Sequence, residues 1–385
     1  MHSGFAMERR FGRIGGDPLL LGALILIVGI GFANLYSASY GYAISLGKPA
    51  GYFGLRQLIW LAPAILVFAL GAFVPLELAQ RSISIIVLGS MVLLLLPFVP
   101  GIGITKNGAS RWFGFGGQMF QPSELFKPVL VLYLAHILSK KAEKLSDIVN
   151  GVIPPLLVVI AGGLIVLAQN DFSTAIMIGV LAVIMFWIAE VPLVFFAAMI
   201  SVAVPLVSLS VLTSDYRLKR VLSFLAPGYD PADLSYQVNG SLRAIRAGGL
   251  WGKGLGQGTL KLRSIPEVQS DFVFSAWAEE SGFAGVVAFA VLWGFFLWRA
   301  FKAAFEAPDS FRSHLAFGLA CYLGVQTLIN VMVASGLAPA TGIPLPFFSS
   351  GGSSLISVAL ASGIIFNVSR SVKPSSRSER TGGYA

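Results

Sequence analysis

Stretches of about twenty apolar residues recur along this chain, and about twenty is what an α-helix needs to cross a hydrocarbon core of about 30 Å. They fall at 18–38, 55–74, 82–100, 121–139, 149–168, 171–189, 192–212, 271–303, 313–334 and 351–369. Lipid offers the backbone no hydrogen-bond partners, so each stretch must bond internally as a helix. The pattern predicts an all-α polytopic membrane protein with ten transmembrane helices. The stretch 271–303 is too long for one straight span and is expected to be broken.

Charge sets the orientation. With both termini cytoplasmic, the inside segments hold Arg9, Arg10, Arg13, Arg81, Lys140, Lys141, Lys144, Arg299, Lys302, Arg312, Arg370, Lys373, Arg377 and Arg380. The short outside loops hold only Lys48, Arg56, Lys106 and Arg111. That bias follows the positive-inside rule. The net charge of +9 therefore reads as topology rather than as affinity for nucleic acid. Charged residues make up only 12% of the chain, about half the usual share in soluble domains. Cys321 is the single cysteine, so no intrachain disulfide can form. Arg9, Arg10 and Arg13 before an apolar run imitate a signal peptide, but Leu19–Leu35 outruns a usual apolar core, and an uncleaved first helix is expected.

This divides the chain into a cytoplasmic segment 1–17, a membrane domain 18–370 and a polar, disordered cytoplasmic tail 371–385. One large extracytoplasmic loop, about 213–270, joins the seventh and eighth spans. Within it, SYQVNGSLRAIRAGG spaces Leu242 and Ile245 for a short amphipathic helix, with Arg243 and Arg246 beside them and a Gly-Gly stop. The loop 101–120 is rich in glycine and aromatics, suited to a membrane interface. No fixed-period repeat and no inverted pair of interrupted halves is visible, unlike many secondary transporters.

Several motifs carry chemistry. In QPSELFK, Glu124 and Lys127 stand at i and i+3 and share a helix face. The pair serves either as a structural salt bridge or at a substrate headgroup. GGLWGKGLGQGTLKLR matches neither a dinucleotide fingerprint nor a phosphate-binding P-loop, and it lies on the wrong side for nucleotides. It reads as a tight or mobile loop offering backbone N–H groups, Lys253, Lys261 and Arg263 to an anion, or as a plain solvated loop. Asp271 opens the eighth span beside Phe272 and Phe274, where it caps the helix or serves as a base in a partly desolvated setting. Glu279 and Glu280 follow, and SGFAG permits close helix approach or a break; Glu267 reads as a loop ion-pair partner. TGIPLPFFSSGGSS suits a cavity-lining loop, with Ser349 and Ser350 offering hydroxyls. Asp171 in QNDFSTA caps the sixth span or lines the same cavity.

NGASRWFGFGGQMFQPSELFK, GGLWGKGLGQGTLKLRSIPEVQSDFVF, AEESGFAG and TGIPLPFFSSGGSS occur together in the order and spacing of the shape, elongation, division and sporulation (SEDS) family. The chain resembles that family from its first helix to about residue 370. The resemblance implies a ten-helix glycosyltransferase, active on the extracytoplasmic side, that polymerises lipid II into a growing glycan strand. It implies a class B penicillin-binding protein as partner, among other division or elongation membrane proteins. The family's essential loop aspartate falls on Asp271, its acid–base pair on Glu124 and Lys127, and its arginine–tryptophan on Arg111 and Trp112. The NGA.RW and YQ…GGL.G.GLG patterns look more like the division branch than the elongation branch. The chain departs from the family at Gln269-Ser270, where His-Thr is common, and at Ser349-Ser350-Gly351-Gly352, where Ser-Tyr-Gly-Gly is common.

On this reading Asp271 takes the proton from the acceptor sugar's 4-hydroxyl as it attacks the donor's anomeric carbon. Arg111, Arg243, Arg246, Lys253 and a divalent cation (Mg²⁺ or Mn²⁺) are the candidates to meet the pyrophosphate charge. No nucleotide or redox cofactor is expected. A flippase for lipid-linked substrates and a non-catalytic scaffold for the penicillin-binding protein are the alternatives.

Overall fold

The computed structural model describes residues 15–106, 108–115, 118–226, 234–259 and 269–372. Each of the ten apolar stretches is a helix: α1 (Pro18–Ser45), α2 (Tyr52–Phe73), α4 (Ile83–Leu95), α5 (Pro122–Lys140), α6 (Ile153–Ala168), α7 (Phe172–Ile188), α8 (Leu193–Leu212), α11 (Val273–Phe305), α12 (Ser310–Ala334) and α13 (Gly352–Ser371). Among the described residues the other α-helices are α3 (Leu76–Arg81), α9 (Asp215–Leu225) and α10 (Leu234–Gly248). Among the described residues, seven helices are long and apolar enough to cross a membrane by length and composition. Two segments, Ile83–Phe98 and Phe172–Ile188, are apolar but shorter. The tenth, α5, is almost wholly buried, Glu124 and Lys127 included.

Burial orders the bundle. In α13 and α12, 78% and 56% of the apolar window is buried, against 11% in α2 and in α8. The inner helices are therefore α5, α12 and α13, whereas α8 buries only Phe195 and Phe196 and turns most of its aliphatic surface outward. Such outward-facing leucines and valines are what a lipid solvent permits. The backbones of α2 and α13 come very close: a Cβ at Gly363 would lie 2.3 Å from the Phe68 carbonyl oxygen. Small residues at a membrane interface allow this approach. Asn367 then donates from Nδ2 to the carbonyls of Gly71 and Val74, each at 2.8 Å.

The expected break lies at Gly282, whose φ of 66° and ψ of −168° interrupt α11. The turn after α10 packs into it, because a Cβ at Gly282 would stand 2.2 Å from the Gly252 nitrogen. Phe283 and Ala284 donate their N–H groups to the carbonyls of Gly249 and Leu250 at 2.9 and 3.0 Å, so the broken ladder is satisfied from outside. The amphipathic helix expected in the long loop is α10, which ends at Gly248 and Gly249.

Two features correct the all-α expectation and the reading of the loops. Segment 101–120 is not plain loop but an antiparallel sheet, β1 (Gly103–Lys106), β2 (Ala109–Phe115) and β3 (Gln118–Phe120), in that order. Ile104 pairs with Trp112, Phe113 with both Gly103 and Phe120, and a bulge separates Ile104 from Thr105. The backbone N–H and C=O groups of this segment find their partners by pairing with one another. The other is α9, whose SDYRLKRVLSFLA sequence puts Arg217 and Arg220 on one face at i and i+3.

The two ends of the bundle differ. At one, Asp17 caps α1 and binds Arg299 at the far end of α11, while Arg312 at the start of α12 binds Glu77. The other end carries the sheet, α9 and the 341–351 segment.

Candidate functional site

That second end holds a cavity of about 1070 Å³ between the sheet, α2, α9 and the segments 269–271 and 341–354. Among the described residues, six cationic side chains line it, Lys48, Arg56, Lys106, Arg111, Arg217 and Arg220, and three carboxylates face them, Glu124, Asp171 and Asp271. A concave site whose described lining carries more cations than carboxylates favours an anion.

Asp271 owes its place to long-range hydrogen bonds. The N-cap position of α11 is Phe272, so Asp271 stands one residue outside the helix and is not the capping residue. Asn330, buried on α12, donates from Nδ2 to the carbonyl of Asp271 at 3.1 Å and to that of Ile343 at 2.8 Å. The Ser349 hydroxyl donates to the Ser270 carbonyl and accepts from the Leu345 N–H. Ser350 donates its N–H to the Gln269 carbonyl at 2.8 Å. Two strands of irregular backbone are thereby fastened side by side, with the Asp271 carboxylate against Gly342. A Cβ there would lie 3.6 Å from Oδ2, and the φ of +73° favours glycine. Gln57, 2% exposed, fixes the exit of the second strand by donating to the Ser349 carbonyl and accepting from the Gly351 N–H.

Behind the cavity floor lies the acid–base pair expected from its spacing. Lys127 donates from Nζ to Glu124 Oε1 at 2.7 Å and to Gln326 Oε1 at 3.1 Å. Both are almost fully buried, at 1% and 3% exposure. Gln326 passes the connection on by donating to the Pro344 carbonyl at 3.0 Å. Glu124 borders the cavity, and its Oε2 has no hydrogen-bond partner among the described residues.

Arg111 reaches across to the α6–α7 turn. It donates to the Asn170 carbonyl and stands 3.8 Å from Asp171 Oδ1. Asp171 also accepts from Gln121 Nε2 at 2.9 Å and caps α7 through the Thr174 N–H, so it fills both roles open to it in sequence, cap and cavity wall.

Of the residues singled out in sequence, Asp271, Arg111, Glu124 and Ser350 therefore meet at one cavity. Lys127 and Ser349 lie directly behind it, holding backbone and side chains in place. Lys253 lies elsewhere: its Nζ bonds Glu279 Oε1 at 2.8 Å, neutralising a fully buried acid beside the Gly282 break. Arg243 and Arg246 are on the exposed face of α10 and do not line the cavity. Lys261, Arg263 and Glu267 lie outside the described residues. Sequence reasoning missed Lys48, Arg56, Lys106, Arg217 and Arg220 as site residues. The first three stood out only as the rare basic residues of short outside loops, and that rarity was the available signal.

The carboxylates do not form a dedicated metal cage. Among the described residues no three His, Cys, Asp or Glu side chains gather. Asp171 is engaged by Arg111, Gln121 and the helix cap.

The family model for FtsW, RodA and SpoVE, described as cell cycle protein, matches residues 18–374. A probable peptidoglycan glycosyltransferase FtsW from Geobacter sp. (strain M18) is 37% identical over 355 residues, covering 92% of this chain and 97% of the relative. Stage V sporulation protein E of Bacillus subtilis (strain 168) is 35% identical over 360 residues, covering 92% and 97%. Among solved structures, a chain from work on the coordination of polymerization and crosslinking by a peptidoglycan synthase complex superimposes with a TM-score of 0.76 at 31% identity, covering 93% and 98%. The rod shape determining protein RodA of Thermus thermophilus gives 0.68 at 28% identity, covering 93% and 97%.

Proposed function

Because the chain belongs to the SEDS family of FtsW, RodA and SpoVE, we propose that it is a peptidoglycan glycosyltransferase that polymerises lipid II, with Asp271 as the general base. The observation that carries the reading is the placement of the Asp271 carboxylate on a cation-lined cavity beside an apolar bundle. Lipid II has a hydrocarbon tail, a pyrophosphate and a sugar head, and this site offers a surface for each.

In the reaction the acceptor sugar's 4-hydroxyl loses its proton to Asp271 as its oxygen bonds to the donor's anomeric carbon. The bond from that carbon to the pyrophosphate breaks, and undecaprenyl pyrophosphate leaves with the electron pair. The developing negative charge needs cations already in position. Lys48, Arg56, Lys106, Arg111, Arg217 and Arg220 supply them, and this set replaces Arg243, Arg246 and Lys253 in our assignment. A divalent cation, Mg²⁺ or Mn²⁺, would bind through Asp271 or Glu124 together with substrate phosphate oxygens, as Mg²⁺ commonly does with one or two carboxylates. It would add positive charge at the pyrophosphate.

The same reading takes all ten helices as spans, both termini as cytoplasmic and the cavity as extracytoplasmic, supported by the larger number of basic residues in the short connections at the opposite end. It takes a class B penicillin-binding protein as the crosslinking partner, in line with the synthase complex that this fold resembles. A role in division is favoured over elongation by the FtsW names among the relatives.

The test is polymerisation of lipid II by the purified chain in detergent, with and without the partner and EDTA. Asp271→Asn should cut turnover by about 10²–10⁴-fold, the usual worth of a general base, while leaving lipid II binding intact. Wild-type-like glycan synthesis by that variant would remove Asp271 from the mechanism. Binding without any polymer from the wild-type chain, with its partner present, would favour a transporter or scaffold.

A further inference from the structure

At the opposite end of the bundle from Asp271 lies a second, shallower cavity of about 510 Å³, lined by Glu77, Gln80, Arg81, Ile83, Ser84, His136 and Lys140. Its volume falls within the range of about 300–1,000 Å³ typical of ligand pockets. Its electrostatics are those of an anion site. Among the described residues the cavity's one carboxylate, Glu77, is already bound by Arg312 at 2.5 Å. Arg81 ends α3 and Lys140 ends α5, and neither forms an ion pair among the described residues. Gln80 and Ser84 add neutral donors, and the buried Nδ1 of His136 has no hydrogen-bond partner among those residues.

What surrounds the cavity identifies the class of anion. It opens where α4 begins, and the next outward positions on that helix, Ile85 and Leu88, are 76% and 66% exposed. Ile83 itself is buried and forms the apolar floor. A ligand seated here thus meets cations and donors at one end and a continuous aliphatic helix face at the other. A free phosphate uses only the first half of that surface. A glycerophospholipid uses both, because basic pockets between membrane helices bind anionic headgroups while the acyl chains lie along the helix.

We propose that this cavity is a binding site for an anionic phospholipid, its phosphodiester held by Arg81 and Lys140 and an acyl chain running along Ile85 and Leu88. The site stands apart from the catalytic reading, since it shares no residue with the Asp271 cavity and needs only that this end of the bundle lie at headgroup depth.

The experiment is native mass spectrometry of the full chain, delipidated in detergent and titrated with phosphatidylglycerol or phosphatidylcholine. Wild type should retain one phosphatidylglycerol in preference to phosphatidylcholine. Arg81→Gln/Lys140→Gln should bind phosphatidylglycerol about twenty- to thirty-fold more weakly, from the worth of two basic residues near an anionic surface, with phosphatidylcholine unaffected. Should the double variant fold poorly, each single variant should show about a five-fold loss. Equal affinity for the two lipids, or equal phosphatidylglycerol affinity in wild type and variants, would overturn the site. Full displacement by millimolar inorganic phosphate would overturn the lipid assignment in favour of a free anion.

Discussion

Replacing Lys127 with methionine tests how the interior of this bundle holds a charge. Lys127 is 1% exposed and its amine touches Glu124 Oε1 at 2.7 Å and Gln326 Oε1 at 3.1 Å, with the Tyr322 ring centroid 5.3 Å away. Methionine keeps the length and apolar stem but leaves Glu124 as a buried acid with no cation. Removing one member of a buried ion pair typically costs about 3–5 kcal/mol, because the remaining charge keeps its desolvation penalty. Glu124 borders a polar cavity rather than packed hydrocarbon, so the lower end, about 3 kcal/mol, is the expected loss. Glu124→Gln/Lys127→Met removes both charges and should recover about 2 kcal/mol of it, since a neutral pair of similar volume fills the same space at small cost. The assay is equilibrium unfolding in detergent of wild type, both single variants and the double variant. If Lys127→Met unfolds with wild-type stability, or the double variant is no more stable than Lys127→Met, the pair is not held by mutual charge compensation and the reasoning fails.

Other perturbations separate positioning from packing. Asn330→Ala removes the donor shared by the Asp271 and Ile343 carbonyls, and should lower kcat about ten-fold or more with little change in KM for lipid II, because it frees the proposed base without touching the cations; an unchanged kcat would show that Asn330 does not position Asp271. Gly282→Ala places a Cβ 2.2 Å from the Gly252 nitrogen at a φ of +66°, and should cost more than about 2 kcal/mol and expose the 249–259 segment to limited proteolysis. Wild-type protease resistance in that variant would mean the turn does not depend on the break.

How much of this was readable in the sequence depends on how far apart the interacting residues lie. The ten helices follow from runs of apolar side chains, because in lipid a helix bonds its backbone within itself and no distant partner enters the decision. The Glu124–Lys127 pair follows likewise from i, i+3 spacing, and the break in α11 from a glycine inside an overlong apolar stretch. α10 was legible from its periodicity and its Gly-Gly stop. The sheet of residues 103–120 was hidden because glycine and aromatic content signals an interface as readily as a strand, and only pairing partners distinguish the two.

The assembly of the site was a matter for the tertiary structure alone. Nothing near Asp271 in the chain announces that Asn330, 59 residues on, holds its carbonyl, or that Ser349, 79 residues beyond Ser270, ties the two segments together. Nor does charge by itself say which basic residues meet: Lys253 and Arg111 look alike in a sequence, yet one neutralises a buried glutamate and the other lines the cavity. Residue type and local spacing determined which segments form long apolar helices; the folding of loops far apart in the chain onto one end of the bundle decided which cations face Asp271, because hydrogen bonds and ion pairs act over a few ångströms of space regardless of the length of chain between them.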